Sequence, residues 1–385
     1  MPDFKDRPGS AQHERIFCGQ YYDDMGCTGF LGDPSKDRIS VLMLGLSDGL
    51  ALAPIAASTR VANLLAVDLD ETAQVRSLDN RNRLAAHINF DSVIVDAAQF
   101  LTATPDRYDV IIVDLYTQSA YAPIVFDQGF HQLLKSRLNP LGHVVFNGFG
   151  VPMNLDPFNG PTPQAWLARC LNDSWGDIHH LPHRRNATFI IGSPPSTILG
   201  TAPAVEFLCA SDRLFMDMMS LRLRHLIPTV IRHPPLVPPA LDFAGIDLEV
   251  QKRWTDLLPA LSALLPASLK LSKPNDLRVL MDDPYACQAL QERLLKDKSS
   301  LRTTLALLIA GEVNFSDRDM SWLPDWVVAT LENSVEIHPQ DWLEGLLPYA
   351  YGVITHRTRG NVAKVEGFRR ALARLSLNVS LTPQR

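Results

Sequence analysis

Apolar runs that alternate with polar or helix-like segments constrain the fold of this chain more than any other feature. Five of them are strand candidates: Ile39–Leu46, Asn63–Asp70, Asp91–Asp96, Tyr108–Leu115 and His143–Phe146. Such alternation is typical of a parallel sheet covered by helices on both faces, because each strand is then buried on two sides. A helix at Pro163–Trp175 and two more strand candidates, Ile178–Leu181 and Ala187–Gly192, complete a predicted doubly wound α/β domain.

The pattern changes near residue 198. Helical periodicity runs from Ala202 to Arg232, a proline-rich linker follows at His233–Pro239, and the remaining residues have helical composition. A length of 385 residues also favours two domains. We therefore predict a polar N-terminal segment or gate at 1–38, the α/β domain at 39–198 and an all-α C-terminal domain at 199–385.

Composition and charge exclude several classes of partner. The formal net charge of −6 comes from mixed acids and bases with no basic face, so no nucleic acid is expected. Five scattered cysteines indicate reduced thiols and no metal site, and the cluster at His179, His180 and His183 lies beside two arginines that would repel a cation. A polar N-terminus and short apolar runs predict a cytoplasmic protein without membrane contact.

Carboxylates follow successive strands of the predicted sheet. The acids are Asp48, Asp68, Asp70, Asp96 and Asp114. Ligands of open parallel sheets bind outside the carboxyl ends of the strands, so these side chains predict a binding site. Acids after strands also cap the helices that follow, and for Asp70 this alternative is equally open.

The turn Gly45-Leu46-Ser47-Asp48-Gly49 indicates what kind of nucleotide would bind. No Walker-type lysine follows it, and the dinucleotide fingerprint is absent because positions 47 and 52 are not glycine. An acid inside the turn would repel a pyrophosphate and attract a cationic sulfonium that carries an amino tail. The end of the second strand, at Asp68 and Leu69, suits ribose hydroxyls, and Asp96 with Ala97 suits adenine.

The order of these motifs resembles the spermidine/spermine synthase family, the aminopropyltransferases, which have the class I methyltransferase-type Rossmann-like fold with a mostly parallel, seven-stranded sheet. The resemblance covers about a third of the chain, from Tyr21 to Gly148. It rests on five segments: Tyr22–Met25, Val41–Gly49, Asp68–Asp70, Asp96–Ala97 and Tyr108–Asp114.

The resemblance implies transfer of an aminopropyl-type group from decarboxylated S-adenosylmethionine, or from S-adenosylmethionine, to a small-molecule amine. It implies that Asp48 holds the tail ammonium, that Asp114 accepts a proton and that Tyr22 lines the acceptor pocket. The donor site, which needs no metal, would include Asp114 as well and would be completed by Gly45, Ser47, Gly49, Asp68, Leu69, Asp96 and Ala97. We also expect a homodimer.

Departures from the family pattern keep other functions open. Thr117 stands where the family has a second acid, and Leu46 and Ser47 replace turn glycines, so a non-standard acceptor is expected near Tyr116, Thr117 and Asn147. One alternative is a methyltransferase that releases S-adenosylhomocysteine, or an intramolecular cyclase that releases methylthioadenosine. Another is a non-catalytic adenosyl-binding interaction protein, since fold does not fix chemistry.

Overall fold

The computed structural model of the chain places its α/β domain in detail. The residues described are 16–84, 87–152, 155–183, 185–192, 210–224, 226–263, 351–352, 367–370 and 372–373. Most of the predicted C-terminal domain therefore lies outside the described residues, and so does the predicted boundary near residue 198.

One sheet forms the centre of the described part. Its strands are β1 (Ile39–Leu44), β2 (Val61–Asp68), β3 (Asn89–Ile94), β4 (Tyr108–Val113), β5 (Leu138–Phe149), β6 (His179–His183), β7 (Asn186–Gly192) and β8 (Ile227–Pro228). Their order is β3-β2-β1-β4-β5-β7-β6-β8. The first five strands are parallel, whereas β7 runs antiparallel to both β5 and β6. The doubly wound, mostly parallel sheet of the prediction is thus confirmed.

Helices cover the sheet and connect its strands. They are α1 (Leu52–Ala56), α2 (Ala73–Arg76), α3 (Leu78–Arg81), α4 (Ala97–Ala103), α5 (Gln128–Ser136), α6 (Pro163–Trp175), α7 (Ala210–Arg224) and α8 (Phe243–Ala263), with 3-10 helices at Tyr21–Phe30 and Pro123–Phe126. Strand β4 is buried along its whole length. None of the helices within the described ranges is both long and apolar enough to cross a membrane.

Two segments differ from the sequence prediction. Strand β5 begins at Leu138, so the predicted turn at residues 139–142 lies inside it, with a register irregularity against β4 and a positive φ at Leu141. The short strand β8, in a region that we predicted to be helical, pairs antiparallel with β6 and adds an eighth strand to the predicted seven. The first correction concerns the beginning of a strand, where local patterns are weakest, and the second concerns the last strand at one edge of the sheet.

The N-terminal 3-10 helix packs between α1 and α7. Asp24 is fully buried and forms a bidentate ion pair with Arg222 of α7, at 2.6 and 3.1 Å. The ring of Phe17 stacks on Phe215 with centroids 4.1 Å apart. Part of the region that we assigned to the C-terminal domain therefore holds the N-terminal segment in place.

Candidate active site

The glycine turn after β1 adopts a left-handed backbone at three positions. The φ angles of Gly45, Ser47 and Gly49 are 97°, 47° and 71°. A Cβ atom at residue 45 would overlap the carbonyl oxygen of Asp114, and one at residue 49 would lie 2.8 Å from Cβ of Ser77. Both glycines are thus needed for the close approach of neighbouring chain segments, and the turn is fixed before any ligand arrives.

Asp68, at the end of β2, organises this turn. Its Oδ2 accepts hydrogen bonds from the backbone N–H groups of Leu46 and Ser47, at 2.6 and 2.9 Å. Its Oδ1 accepts another from Asp70 N–H at 2.9 Å. The structure thus joins the predicted ribose acid to the glycine turn, and its role toward ribose stays a prediction.

Asp48, the predicted partner of a donor ammonium, faces an arginine that sequence reasoning missed. Arg76 of α2 donates from Nε to Asp48 Oδ1 at 2.9 Å and from Nη1 to Asp70 Oδ2 at 2.7 Å. Hydrogen bonds from the Thr72 hydroxyl, from Arg76 and from the Thr72 backbone N–H, in this order of effect, lower the pKa of Asp70 to about 2. Arg76 therefore partly neutralises the turn acid on which the preference for a cationic tail depends.

The predicted adenine site lies at the start of α4. Asp96 is the N-cap of this helix, and its Oδ1 accepts hydrogen bonds from Ala98 and Gln99 N–H at 2.9 and 3.0 Å. Ala97 is buried, whereas Leu69, beside the ribose acid, is 72% exposed and open to a ligand. Capping accounts for the position of Asp96 without a ligand, so its contact with adenine stays a prediction.

Asp114 lies directly after β4, beside the glycine turn. Its N–H donates to Leu44 O at 2.9 Å, and its half-buried carboxylate accepts a hydrogen bond from Asn147 Nδ2 at 2.8 Å. Burial raises the pKa of Asp114 to about 6; the hydrogen bond from Asn147 opposes this rise and the charge of Asp68 adds to it. The carboxylate is therefore a suitable proton acceptor at neutral pH.

Tyr21, which sequence reasoning passed over, interacts with Asp114 and Asp48 through their charges. The pKa of Tyr21 is raised above its usual range by the charge of Asp114, by burial and by the charge of Asp48. Tyr22, the residue we predicted, instead places its hydroxyl 3.0 Å from Cys18 Sγ. Tyr21 precedes the motif residue Tyr22 by one position, and this adjacency was the only signal for it.

The loop after β4 contains two of the predicted acceptor residues, Tyr116 and Thr117, whereas Asn147 lies in β5. Thr117 is exposed, and its hydroxyl donates to Ala120 O and accepts from Ala120 N–H, both at 3.0 Å. The hydroxyl of Tyr116 donates to Asn147 O at 2.7 Å, and its ring lies 4.8 Å from that of Tyr121. Phe243, at the start of α8, anchors the loop with a 2.7 Å hydrogen bond from its N–H to Ser119 O.

Within the described residues, no cluster of three or more histidine, cysteine, aspartate or glutamate side chains could hold a metal ion. The side chain of His180 bonds Thr229 Oγ1 at 2.9 Å, and burial lowers the pKa of His180 to about 3. Nδ1 of His183 lies 3.4 Å from Oδ1 of Asp24.

The sheet order is that of a doubly wound, class I methyltransferase-type Rossmann-like fold. Residues 28–153 match the family model of the spermine/spermidine synthase domain. A polyamine aminopropyltransferase of Oceanobacillus iheyensis is 33% identical over 112 residues, which cover 27% of this chain and 22% of that protein. The match thus spans about a fifth of the length of this relative.

Solved structures show more distant likeness. The human methyltransferase-like protein 13, in complex with SAH, has 15% identity and a TM-score of 0.38, and the match covers 53% of this chain and 91% of that one. Spermidine synthase from Thermotoga maritima has 13% identity and a TM-score of 0.37, and the match covers 49% of this chain and 68% of that one.

Proposed function

We propose that the α/β domain binds an adenosyl-sulfonium donor and transfers an aminopropyl-type group to a small-molecule amine. The observation that carries this proposal is the position of Asp114. Its backbone joins the end of β1 just before the glycine turn, and its carboxylate is held next to Asn147 with a pKa of about 6. This position supports Asp114 as the base for a donor that lies on the turn.

The proposed step is a direct displacement. The amine nitrogen forms a bond to the carbon next to the sulfonium, the carbon–sulfur bond breaks, and sulfur retains the bonding pair as the thioether methylthioadenosine. The attacking amine loses a proton, which the Asp114 carboxylate accepts. Tyr21 stays a neutral phenol because its pKa is raised, so it would orient groups near Asp114 and not deprotonate them. Orientation and proton removal suffice, since a sulfonium is already an activated leaving group.

The acceptor side supports a non-standard amine. Thr117 satisfies its hydroxyl within its own turn, and the neighbouring loop contributes the rings of Tyr116 and Tyr121. The guanidinium of Arg185 lies 4.7 Å from the ring centroid of Phe149 and is paired with Asp247 at 2.7 Å. Residues 115–122, which follow Asp114, include no second carboxylate for another ammonium group, so we propose an acceptor with a single amine.

One observation favours a methyltransferase as the second candidate. Arg76 is paired with Asp48, and an arginine beside the donor tail would suit the carboxylate of intact S-adenosylmethionine better than a bare ammonium group. The same turn and the same acids would then serve methyl transfer.

Product analysis separates the candidates. The protein is incubated with each donor and a panel of mono- and diamines, and the nucleoside product is identified by mass spectrometry. Methylthioadenosine formed only with an amine present supports the proposal, whereas its formation without an amine indicates cyclisation. S-adenosylhomocysteine indicates methyl transfer. Donor binding without any product would contradict both enzyme functions for these acceptors and favour a binding module.

A further inference from the structure

Two buried asparagines connect the antiparallel part of the sheet to Asp114. Asn147 of β5 and Asn186 of β7 are 4% and 5% exposed. Asn186 Nδ2 donates to Asn147 Oδ1 at 2.8 Å, and Asn147 Nδ2 donates to Asp114 Oδ1 at 2.8 Å. The register pairs Asn147 with Thr188, so Asn186 is its diagonal neighbour on the same face of the sheet.

This chain of hydrogen bonds allows only one orientation of the Asn147 amide. Its oxygen must face the amino group of Asn186, and its amino group therefore faces Asp114. The flipped amide would set its oxygen against a carboxylate oxygen and its amino group against that of Asn186. Such an arrangement is costly when both partners are buried.

We infer that Asn147 and Asn186 are positioning residues, which hold the Asp114 carboxylate in one orientation and favour its charged form. The inference rests on the proposed function of Asp114 as the proton acceptor. Asn147 donates directly to the carboxylate, whereas Asn186 acts through Asn147.

Other groups around Asp114 do not replace this role. Asp68, from the end of β2, adds negative charge that favours the neutral form of Asp114. Tyr21, from the 3-10 helix, and Tyr116 and Tyr121, from the loop after β4, all have a raised pKa and stay uncharged at neutral pH. Among the described groups, the Asn147 amide is the one that lowers the pKa of Asp114.

Direct titration of Asp114 tests the inference. The ionisation midpoint is followed by carbon-13 NMR of aspartate carboxyl groups in the full-length protein, with Asp114→Asn used for assignment. In Asn147→Leu the midpoint is expected to rise by about one to two pH units, since a hydrogen bond to a charged group is lost. In Asn186→Ala a smaller rise in the same direction is expected, because the Asn147 amide loses the hydrogen bond that fixes its orientation.

Thr188→Val is the matched control. Thr188 lies opposite Asn147, and within the described part of the chain its buried hydroxyl makes no hydrogen bond, so this variant should leave the midpoint unchanged. An unchanged midpoint in Asn147→Leu, or an equal rise in Thr188→Val, would overturn the inference. Should Asn147→Leu not fold, the inference is tested by Asn186→Ala alone. An unchanged midpoint in that variant contradicts the positioning role of the two asparagines. Rising midpoints in a protein that turns over no donor would support the positioning role of the two asparagines and contradict the proposed function. Failure of the inference and failure of the proposed function are therefore distinguishable.

Discussion

Arg222 of α7 meets Asp24 of the N-terminal 3-10 helix in an ion pair that is closed to solvent on both sides, with side chains 1% and 0% exposed. Although burial alone would raise the pKa of Asp24, Arg222 and His183 hold that pKa below its usual range. The pair joins residues 198 positions apart and fixes the helix on which Tyr21 lies.

Removal of Arg222 should therefore destabilise the protein. Arg222→Ala leaves a buried carboxylate without its partner, and we expect a loss of about 3–5 kcal/mol in the free energy of unfolding. The measurement is urea denaturation at pH 7, with Arg224→Ala as the control, because Arg224 is exposed on the same helix. Equal stability of the two variants would show that the ion pair contributes nothing.

Arg76 should influence the choice of donor. In Arg76→Ala the Asp48 carboxylate loses its partner, and the affinity for decarboxylated S-adenosylmethionine should rise relative to that for the intact donor. Calorimetric titration with both donors gives the ratio of the two affinities. Arg81→Ala is the control, since Arg81 lies over the Phe90 ring. A ratio that Arg76→Ala leaves unchanged would place the donor tail away from Asp48.

Asp114 should reduce stability at neutral pH. Its pKa in the folded state, about 6, exceeds the usual 3.8, so folding is penalised increasingly as pH rises from about 4 to 6 and fully above that. Asp114→Asn should therefore raise the free energy of unfolding at pH 8 by up to about 2 kcal/mol, with a smaller gain at pH 4. Denaturation curves at the two pH values test this. A gain that is larger at pH 4 would mean that the pKa is lowered by folding.

Ser47 keeps a glycine-like backbone with φ at 47°. Ser47→Gly should therefore be tolerated with a small change in stability, whereas Ser47→Val should cost about 1–2 kcal/mol, because a β-branched residue disfavours this conformation. Thermal denaturation of both variants provides the comparison. Similar melting temperatures would indicate that the turn relaxes to accept a side chain.

Local signals explain which elements the sequence predicts well. Helix α6 has the predicted bounds because Thr162 caps it by accepting from Ala165 N–H, Pro163 starts it and Gly176 ends it with φ at 85°. The described part of the crossover between β2 and β3, by contrast, contains two helices of only four residues each, α2 and α3, and Ser77 between them packs against Gly49.

Contacts between distant residues were beyond sequence reasoning. The acids at the strand ends were found, because strand polarity places them on one edge of the sheet. Their partners were not, since no pattern couples Asp48 to Arg76 or Asp24 to Arg222. The place of Asn147 near the acceptor stays a prediction, and its hydrogen bonds to Asp114 and Asn186 were not foreseen. Such pairings depend on tertiary packing, which a single sequence does not reveal.

In the proposed reaction, Asp114 accepts a proton from the attacking amine during transfer from an adenosyl-sulfonium donor. The most direct measurement is the rate of methylthioadenosine formation by the wild type and by Asp114→Asn, with donor affinity determined in parallel. We expect donor affinity within about threefold of the wild type and a rate about 10²–10⁴-fold lower in the variant. We also expect the wild-type rate to fall below pH 6. Equal rates in the two proteins would contradict the claim.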